Sequence, residues 1–225
     1  MTSSTKTNCT CDGSGYILLD DNTFSFCVCR KQQAESAKME KLFRSARIPK
    51  RYQGKTLDMF AKGYQDHALK IACAYANRWP QESGLLFVGH VGTGKTHLAI
   101  AMQNELIAKH HISSLTVSVP DLMDDLRGHD ESKEQMKALK EVDLLVLDDL
   151  GSQKNTDWVT ERLYVIINAR YSELRPTIIT SNSYLSDLNK IAGWERIVDR
   201  IIECCNVIKC EGASYRKKTK GEVSK

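Results

Sequence analysis

The 225-residue chain has no apolar stretch long enough to cross a bilayer: runs such as Leu144 to Leu147 fall far short of the roughly 18 residues required. Its amino terminus, Met1 to Gly13, lacks the apolar core of a signal peptide, so the expected location is the cytoplasm. There is no internal repeat. Net charge is only +4, which permits a nucleic-acid partner without requiring one. What is present, 41% hydrophobic and 27% charged residues, excludes disorder of the whole chain. The profile is that of a soluble globular protein with one substantial domain and a small appendage. In a reducing compartment the eight cysteines favour metal ligands or free thiols over disulfides.

The appendage is legible at the amino terminus. Two alternating stretches, Tyr16 to Leu19 and Thr23 to Phe26, flank Asp20, Asp21 and Asn22, a hairpin pattern. Cys9, Cys11, Cys27 and Cys29 bracket its open end. Four thiolates suffice for one tetrahedral structural Zn²⁺, and about thirty residues bury too little apolar surface to fold without such a staple. Gly13 and Gly15, in Cys11-Asp12-Gly13-Ser14-Gly15, relieve crowding near such a metal. Free thiols are the alternative, since C-x-C spacing is tighter than the commoner C-x-x-C. A charged segment follows in which Met39, Leu42, Phe43 and Ala46 form one helical stripe, ended by Ile48-Pro49.

From about Asp66 helices alternate with short strands that are apolar throughout: Leu85 to Val88, Leu115 to Val119, Val142 to Asp148, Thr177 to Thr180 and Asn206 to Lys209. Such strands imply an α/β fold, a parallel sheet covered by helices on both faces. The expected organisation is a zinc-binding hairpin and helix over 1–47, a linker over 48–65, the α/β domain over 66–216 and a basic tail over 217–225. Cys73, Cys204, Cys205 and Cys210 read as small buried residues.

Between the first of these strands and the next helix lies Gly89-His90-Val91-Gly92-Thr93-Gly94-Lys95-Thr96, which satisfies G-x-x-x-x-G-K-T. Its glycines let the loop curl so that amide N–H groups meet phosphate oxygens, backed by the positive end of the helix. Lys95 is expected to reach the β and γ phosphates, and the Thr96 hydroxyl to ligate Mg²⁺. The apolar strand Leu144-Leu145-Val146-Leu147 ends in Asp148 and Asp149. Adjacent acids fit a buried strand only at its carboxyl end, where ligands bind in open α/β sheets. Asp148 is expected to hold Mg²⁺ through water and Asp149 to orient the attacking water. Asn182, ending the strand from Thr177, can position the same water without adding charge.

Taken in order, these motifs resemble the DnaC/DnaI branch of AAA+ ATPases, the replicative helicase loaders of bacteria and their phages. The likeness runs from about Ile48 to Arg216. It is carried also by Ile48-Pro49-Lys50-Arg51-Tyr52, Asp148-Asp149-Leu150-Gly151, Arg175-Pro176-Thr177, Trp194-Glu195-Arg196-Ile197-Val198-Asp199-Arg200 and Ser214-Tyr215-Arg216. The resemblance implies an AAA+ P-loop ATPase that binds ATP or ADP with Mg²⁺, assembles into a homo-oligomeric ring or spiral, holds single-stranded DNA and delivers a DnaB-like replicative helicase. It makes Asn182 sensor 1, Arg200 the arginine finger acting on a neighbouring subunit, and Arg216 sensor 2. Arg196, one turn before Arg200, is the alternative finger. In the same likeness the amino-terminal module docks on the helicase. Arg127, Lys154 and Trp158 occupy regions facing the ring pore, although Trp158 also suits the core.

Two features depart from the pattern. Asp149 stands where most AAA+ proteins carry glutamate, which sets the carboxylate further back and favours slow turnover. The stretch 217–225 has no room for the usual helical lid. An IstB-like transposition ATPase and a small-molecule P-loop kinase are the competing readings. The first normally lacks a cysteine-stapled module, and the second requires ATPase activity independent of protein concentration.

Overall fold

The computed structural model describes residues 9, 11–19, 23–61, 63–127 and 132–215. The hairpin turn residues Asp20, Asp21 and Asn22, the basic tail and Arg216 lie outside the described residues. Strands β1 (Tyr16–Leu18) and β2 (Phe24–Phe26) pair antiparallel, with Tyr16 opposite Phe26 and Leu18 opposite Phe24. Because strand side chains alternate, those four residues share one face. Helix α1 (Val28–Ser45) follows, and its stripe of Met39, Leu42 and Phe43 packs against the core cluster that contains Ala46.

The main domain consists of α2 (Asp66–Asn77), β3 (Gly84–Val88), α3 (Lys95–His110), β4 (Ser114–Ser118), α4 (Val119–Asp125), α5 (Ser132–Glu141), β5 (Leu144–Leu150), α6 (Asp157–Ser172), β6 (Thr177–Ser181), α7 (Leu185–Leu188), α8 (Glu195–Cys204) and β7 (Cys205–Lys209). The strands form one all-parallel sheet in the order β4-β5-β6-β3-β7. Two apolar clusters line its opposite faces, one on α2 and α3 and the other on α6 and α8. That is why strands such as β3 are buried at every position. At the β4 edge, Ala46 O accepts a hydrogen bond from Thr116 N–H at 2.8 Å, so the chain just after α1 occupies part of the exposed ladder. Residues 46–60 therefore contribute to the core, through Ala46, Ile48, Leu57 and Phe60.

Val119 differs from its sequence reading, which assigned it to the strand. Pro120 sits in the first turn of α4, where its missing N–H costs nothing, and the helix starts one residue before it.

A buried cation ties the base of the sheet together. Arg170, 1% exposed, donates through Nε to Thr177 Oγ1 at 2.9 Å and through Nη2 to Pro176 O at 2.7 Å. Its Nη1 serves Leu139 O, Lys140 O and Val142 O at 3.1, 3.3 and 2.9 Å. Two of those carbonyls belong to the last turn of α5, the negative end of that helix. One guanidinium thus joins α5, α6 and the starts of β5 and β6. Burial pulls its pKa down to about 10, which still leaves it charged at neutral pH. We predict that Arg170→Met, which keeps the apolar volume and orphans these acceptors, lowers unfolding free energy by about 3 kcal/mol or more in urea titrations. A loss under about 1 kcal/mol would contradict this assignment.

Candidate nucleotide site

The functional side chains meet because β3, β6 and β5 are neighbours and parallel, so their carboxyl ends open on one side of the sheet. The loop after β3 curls into the start of α3, with Gly92 and Gly94 at φ of 86° and 92°. At Gly94 a Cβ would lie 2.9 Å from the Phe60 ring, so glycine is needed for space as well as for conformation.

Lys95, 6% exposed, is held by three acceptors: Gly89 O at 2.7 Å, His90 O at 2.8 Å and Asn182 Oδ1 at 2.9 Å. Asn182 uses the other end of its amide to donate to Asp149 Oδ1 at 2.5 Å. One carboxamide therefore bridges the loop lysine and the second acid. Beside it, Thr96 Oγ1 donates to Asp148 Oδ1 at 2.8 Å, and Thr180 Oγ1 donates to the same oxygen at 2.6 Å.

Thr180 also accepts from the Asp149 backbone N–H at 2.9 Å. That bond accompanies a break in β5–β6 register between Leu147 and Leu150, where Asp149 adopts a left-handed conformation at φ 62°. Aspartate tolerates this region better than most residues. The bulge turns two consecutive carboxylates toward one cleft, where a regular strand would send them to opposite faces.

Lys95, Thr96, Asp148, Asp149 and Asn182, with Val91, Gly92 and Gly94, line a cleft of about 620 Å³. Beside the loop its wall is aromatic. Phe60 lies 5.2 Å from the His97 ring and 6.4 Å from Tyr64, and Tyr52 lies 6.1 Å from His97. His97 Nε2 is buried with no hydrogen-bond partner among the described residues. Burial, reinforced by Lys55, lowers its pKa, so the ring is neutral at pH 7. The sequence reading assigned no role to Phe60, Tyr64, His97 or Thr180. The signal available was the cluster of aromatics just before α2 and the hydroxyl within an otherwise apolar strand.

Among the remaining sequence candidates, Arg196 and Arg200 lie on α8 and line no part of this cleft. Arg196 is exposed. The Arg200 guanidinium stands over the Tyr171 ring at 4.6 Å, bonds Asn168 Oδ1 at 3.3 Å and lies within ion-pair reach of Asp199 and Glu203. Arg127 meets half-buried Trp158 at 5.6 Å, and Arg162, not singled out in the sequence, approaches the same ring at 5.8 Å. Lys154 is exposed in the loop before α6.

The four cysteine sulfurs gather at the hairpin base. Cys9 Sγ is 2.9 Å from Cys11 Sγ and 3.4 Å from Cys27 Sγ, Cys11 Sγ is 3.4 Å from Cys29 Sγ, and all four lie within 4.8 Å of one another. The Cys29 backbone N–H holds the Cys27 thiol down to about 6. Four soft donors this close, one of them readily ionised, fit a tetrahedral thiolate metal such as Zn²⁺.

Insertion of β6 between the phosphate-loop strand and the acid-bearing strand, with Asn182 at its tip, marks the chain as a P-loop nucleotide-binding protein of the AAA+ class. The family model described as IstB-like ATP binding protein matches residues 28–223. The replicative helicase loader DnaC of Escherichia coli K12 is 32% identical over 180 residues, which cover 76% of this chain and 72% of that protein. The crystal structure of the DnaC helicase loader matches at a TM-score of 0.66 and 32% identity, covering 72% of this chain and all of that one. That of DnaI matches at 0.65 and 28%, covering 72% and 94%. The chain belongs to the IstB-like ATP binding family and, within it, to the DnaC-type replicative helicase loaders.

From the bridging amide we predict that Asn182→Ala lowers ATP turnover roughly tenfold or more while changing ADP affinity less than about threefold. Steady-state phosphate release and equilibrium binding measure the two. Equal loss in both would contradict a role in ordering the reacting end of the site.

Proposed function

We propose that this protein is an ATP-switched loader that oligomerises, binds single-stranded DNA and delivers a DnaB-like replicative helicase. The observation that carries this reading is the Asn182 bridge between Lys95 and Asp149, beside the Thr96–Asp148 contact, in a chain of the DnaC-type family. Phosphates bind against the loop amides and Lys95. Asp149, oriented by Asn182, aligns the attacking water. The meeting of a threonine hydroxyl and a carboxylate fits a hard cation, so Thr96 and Asp148 would hold Mg²⁺, which when bound neutralises charge on the phosphates.

The aromatic wall formed by Tyr52, Phe60 and His97 receives the base. Arg200 lines no part of its own cleft, which suits action in trans on a neighbouring subunit, with Arg196 one turn earlier on the same helix. Arg216 acts as sensor 2. Arg127, with Trp158 and Lys154, provides a cationic and stacking contact for single-stranded DNA.

The module at 1–47 is the helicase-docking element, held by Zn²⁺ on Cys9, Cys11, Cys27 and Cys29. Its hairpin presents Tyr16, Leu18, Phe24 and Phe26 on one face, with Phe24 71% and Leu18 59% exposed. The Arg30 guanidinium stacks over Tyr16 at 4.3 Å and Phe26 at 4.7 Å. An apolar patch of this kind, carried on so small a unit, suits a protein partner.

Metal analysis of purified protein is expected to give one zinc per chain, lost in Cys27→Ser. Co-purification with the host replicative helicase is expected for the intact chain and to be lost both without residues 1–47 and in Phe24→Asp. Unaltered binding by both variants would move docking onto the ATPase domain. Absence of binding by the intact chain, together with absence of zinc, would favour the IstB-like transposition ATPase. ATP turnover independent of protein concentration would favour a kinase-like monomer.

A further inference from the structure

Helix α3 meets the cleft region at two places. Its first turn carries Lys95 and Thr96, and its third turn carries Asn104 and Glu105. His97 and Asn104 are seven residues apart and so lie on one face of the helix, the face crossed by the 50–60 segment.

Asn104 is 4% exposed. Its Nδ2 donates to Tyr52 O at 3.0 Å and to Lys55 O at 2.7 Å. Two carbonyls reach one amide because the chain turns between them: Gly54 takes φ 68°, and Lys55 N–H donates to Tyr52 O at 3.1 Å. One residue further on, Glu105 Oε1 accepts the Leu57 backbone N–H at 3.1 Å, while its Oε2 meets Lys109 Nζ at 2.8 Å. Adjacent side chains of one helix thus hold three backbone groups of the segment that bears Tyr52, Lys55, Met59 and Phe60, all of which line the cleft.

Burial of Leu57 and Phe60 in the core keeps this segment against the helix. Apolar burial is non-directional and does not fix how far along the helix the segment sits. The three hydrogen bonds do, and they thereby set the separation between the phosphate loop, at the start of α3, and the aromatic wall. A buried amide within a helix is costly unless bonded, so an apolar residue would suffice at 104 if packing were all that the position required.

We propose that Asn104 is a positioning residue that sets Tyr52 and Phe60 against His97, at the spacing from the phosphate loop that lets one nucleotide use both. Glu105 is the second anchor of the same segment. The inference rests on the nucleotide-site reading given above and adds to it the residue through which the wall is held. Phosphate affinity then belongs to the loop, and the added affinity for a nucleoside to the wall.

The test uses the full chain and two probes, Mg²⁺-ATP and Mg²⁺-tripolyphosphate, the second of which has the phosphates without the nucleoside. Calorimetric titration compares wild type, Asn104→Ala, Glu105→Ala and Glu105→Gln, with thermal unfolding as the check on folding. Wild type is expected to bind ATP at least about tenfold more tightly than tripolyphosphate. Asn104→Ala is expected to weaken ATP about tenfold and tripolyphosphate less than about twofold. Glu105→Ala, at a side chain 16% exposed, is expected to weaken ATP about threefold and leave tripolyphosphate unchanged. Glu105→Gln keeps an acceptor oxygen for Leu57 N–H and is expected to restore ATP affinity. If Asn104→Ala does not fold, the two Glu105 variants carry the test.

Equal weakening of both probes, no weakening of ATP, or a loss in Glu105→Gln as large as that in Glu105→Ala would overturn the assignment. So would a wild-type protein that binds tripolyphosphate as tightly as ATP. Binding of ATP without binding of tripolyphosphate at millimolar concentration would also overturn it, because loop and wall would then not act separately. A wild-type protein that binds neither probe would overturn the loader reading, and this assignment with it.

Discussion

Asn182 spans the gap between an ammonium and a carboxylate, and the reacting end of the cleft depends on that one amide being in place. A lysine 6% exposed needs acceptors, and two acids at a strand end need donors. Lys95 takes two loop carbonyls and Asn182; Asp149 takes the other end of the same amide; Asp148 takes the hydroxyls of Thr96 and Thr180. Each polar group satisfies another, and the arrangement holds because β3, β6 and β5 are adjacent. Moving β6 from between β3 and β5 would separate the lysine, the asparagine and the acids. The all-parallel sheet, its two apolar clusters and the Arg170 tie at its base hold those strand ends in register.

Much of this was legible in the residues because the signals are local. The strand before Gly89, the helix after Lys95, the acids closing 144–150 and the hairpin at 16–26 each announce themselves within a dozen residues or fewer. The family likeness ordered them into one site. Other features depend on separations that no local pattern carries. Arg170 lies in an ordinary helix, and nothing near it in the chain indicates that four carbonyls and one hydroxyl, from α5, Thr177 and the residues leading into β5 and β6, converge on it. The Tyr64 and Tyr215 rings meet at 5.1 Å across most of the chain. The bulge at Asp149 was equally invisible, since a run of apolar residues ending in two aspartates reads the same with or without a register shift.

At the amino terminus the logic differs. Three-residue strands do not hold a hairpin in water, and β1 and β2 present their larger side chains outward. Four sulfurs at the open end are placed where a bound metal would supply the constraint that a core otherwise provides. The outward face is then available to a partner, while α1 and the chain just after it lie against α3 and the edge of β4. Aromatic residues thus occupy two settings: on the hairpin they lie exposed, and before α2 they wall the nucleotide cleft.

Every role assigned to this cleft requires a nucleoside triphosphate to be held by its phosphate loop. Calorimetric titration of Mg²⁺-ATP into the full-length protein and into Lys95→Ala measures this directly. Saturable binding near one nucleotide per chain, weakened at least about a hundredfold in the variant, is the predicted result. Absence of binding at millimolar ATP, or equal binding by the two proteins, would contradict it.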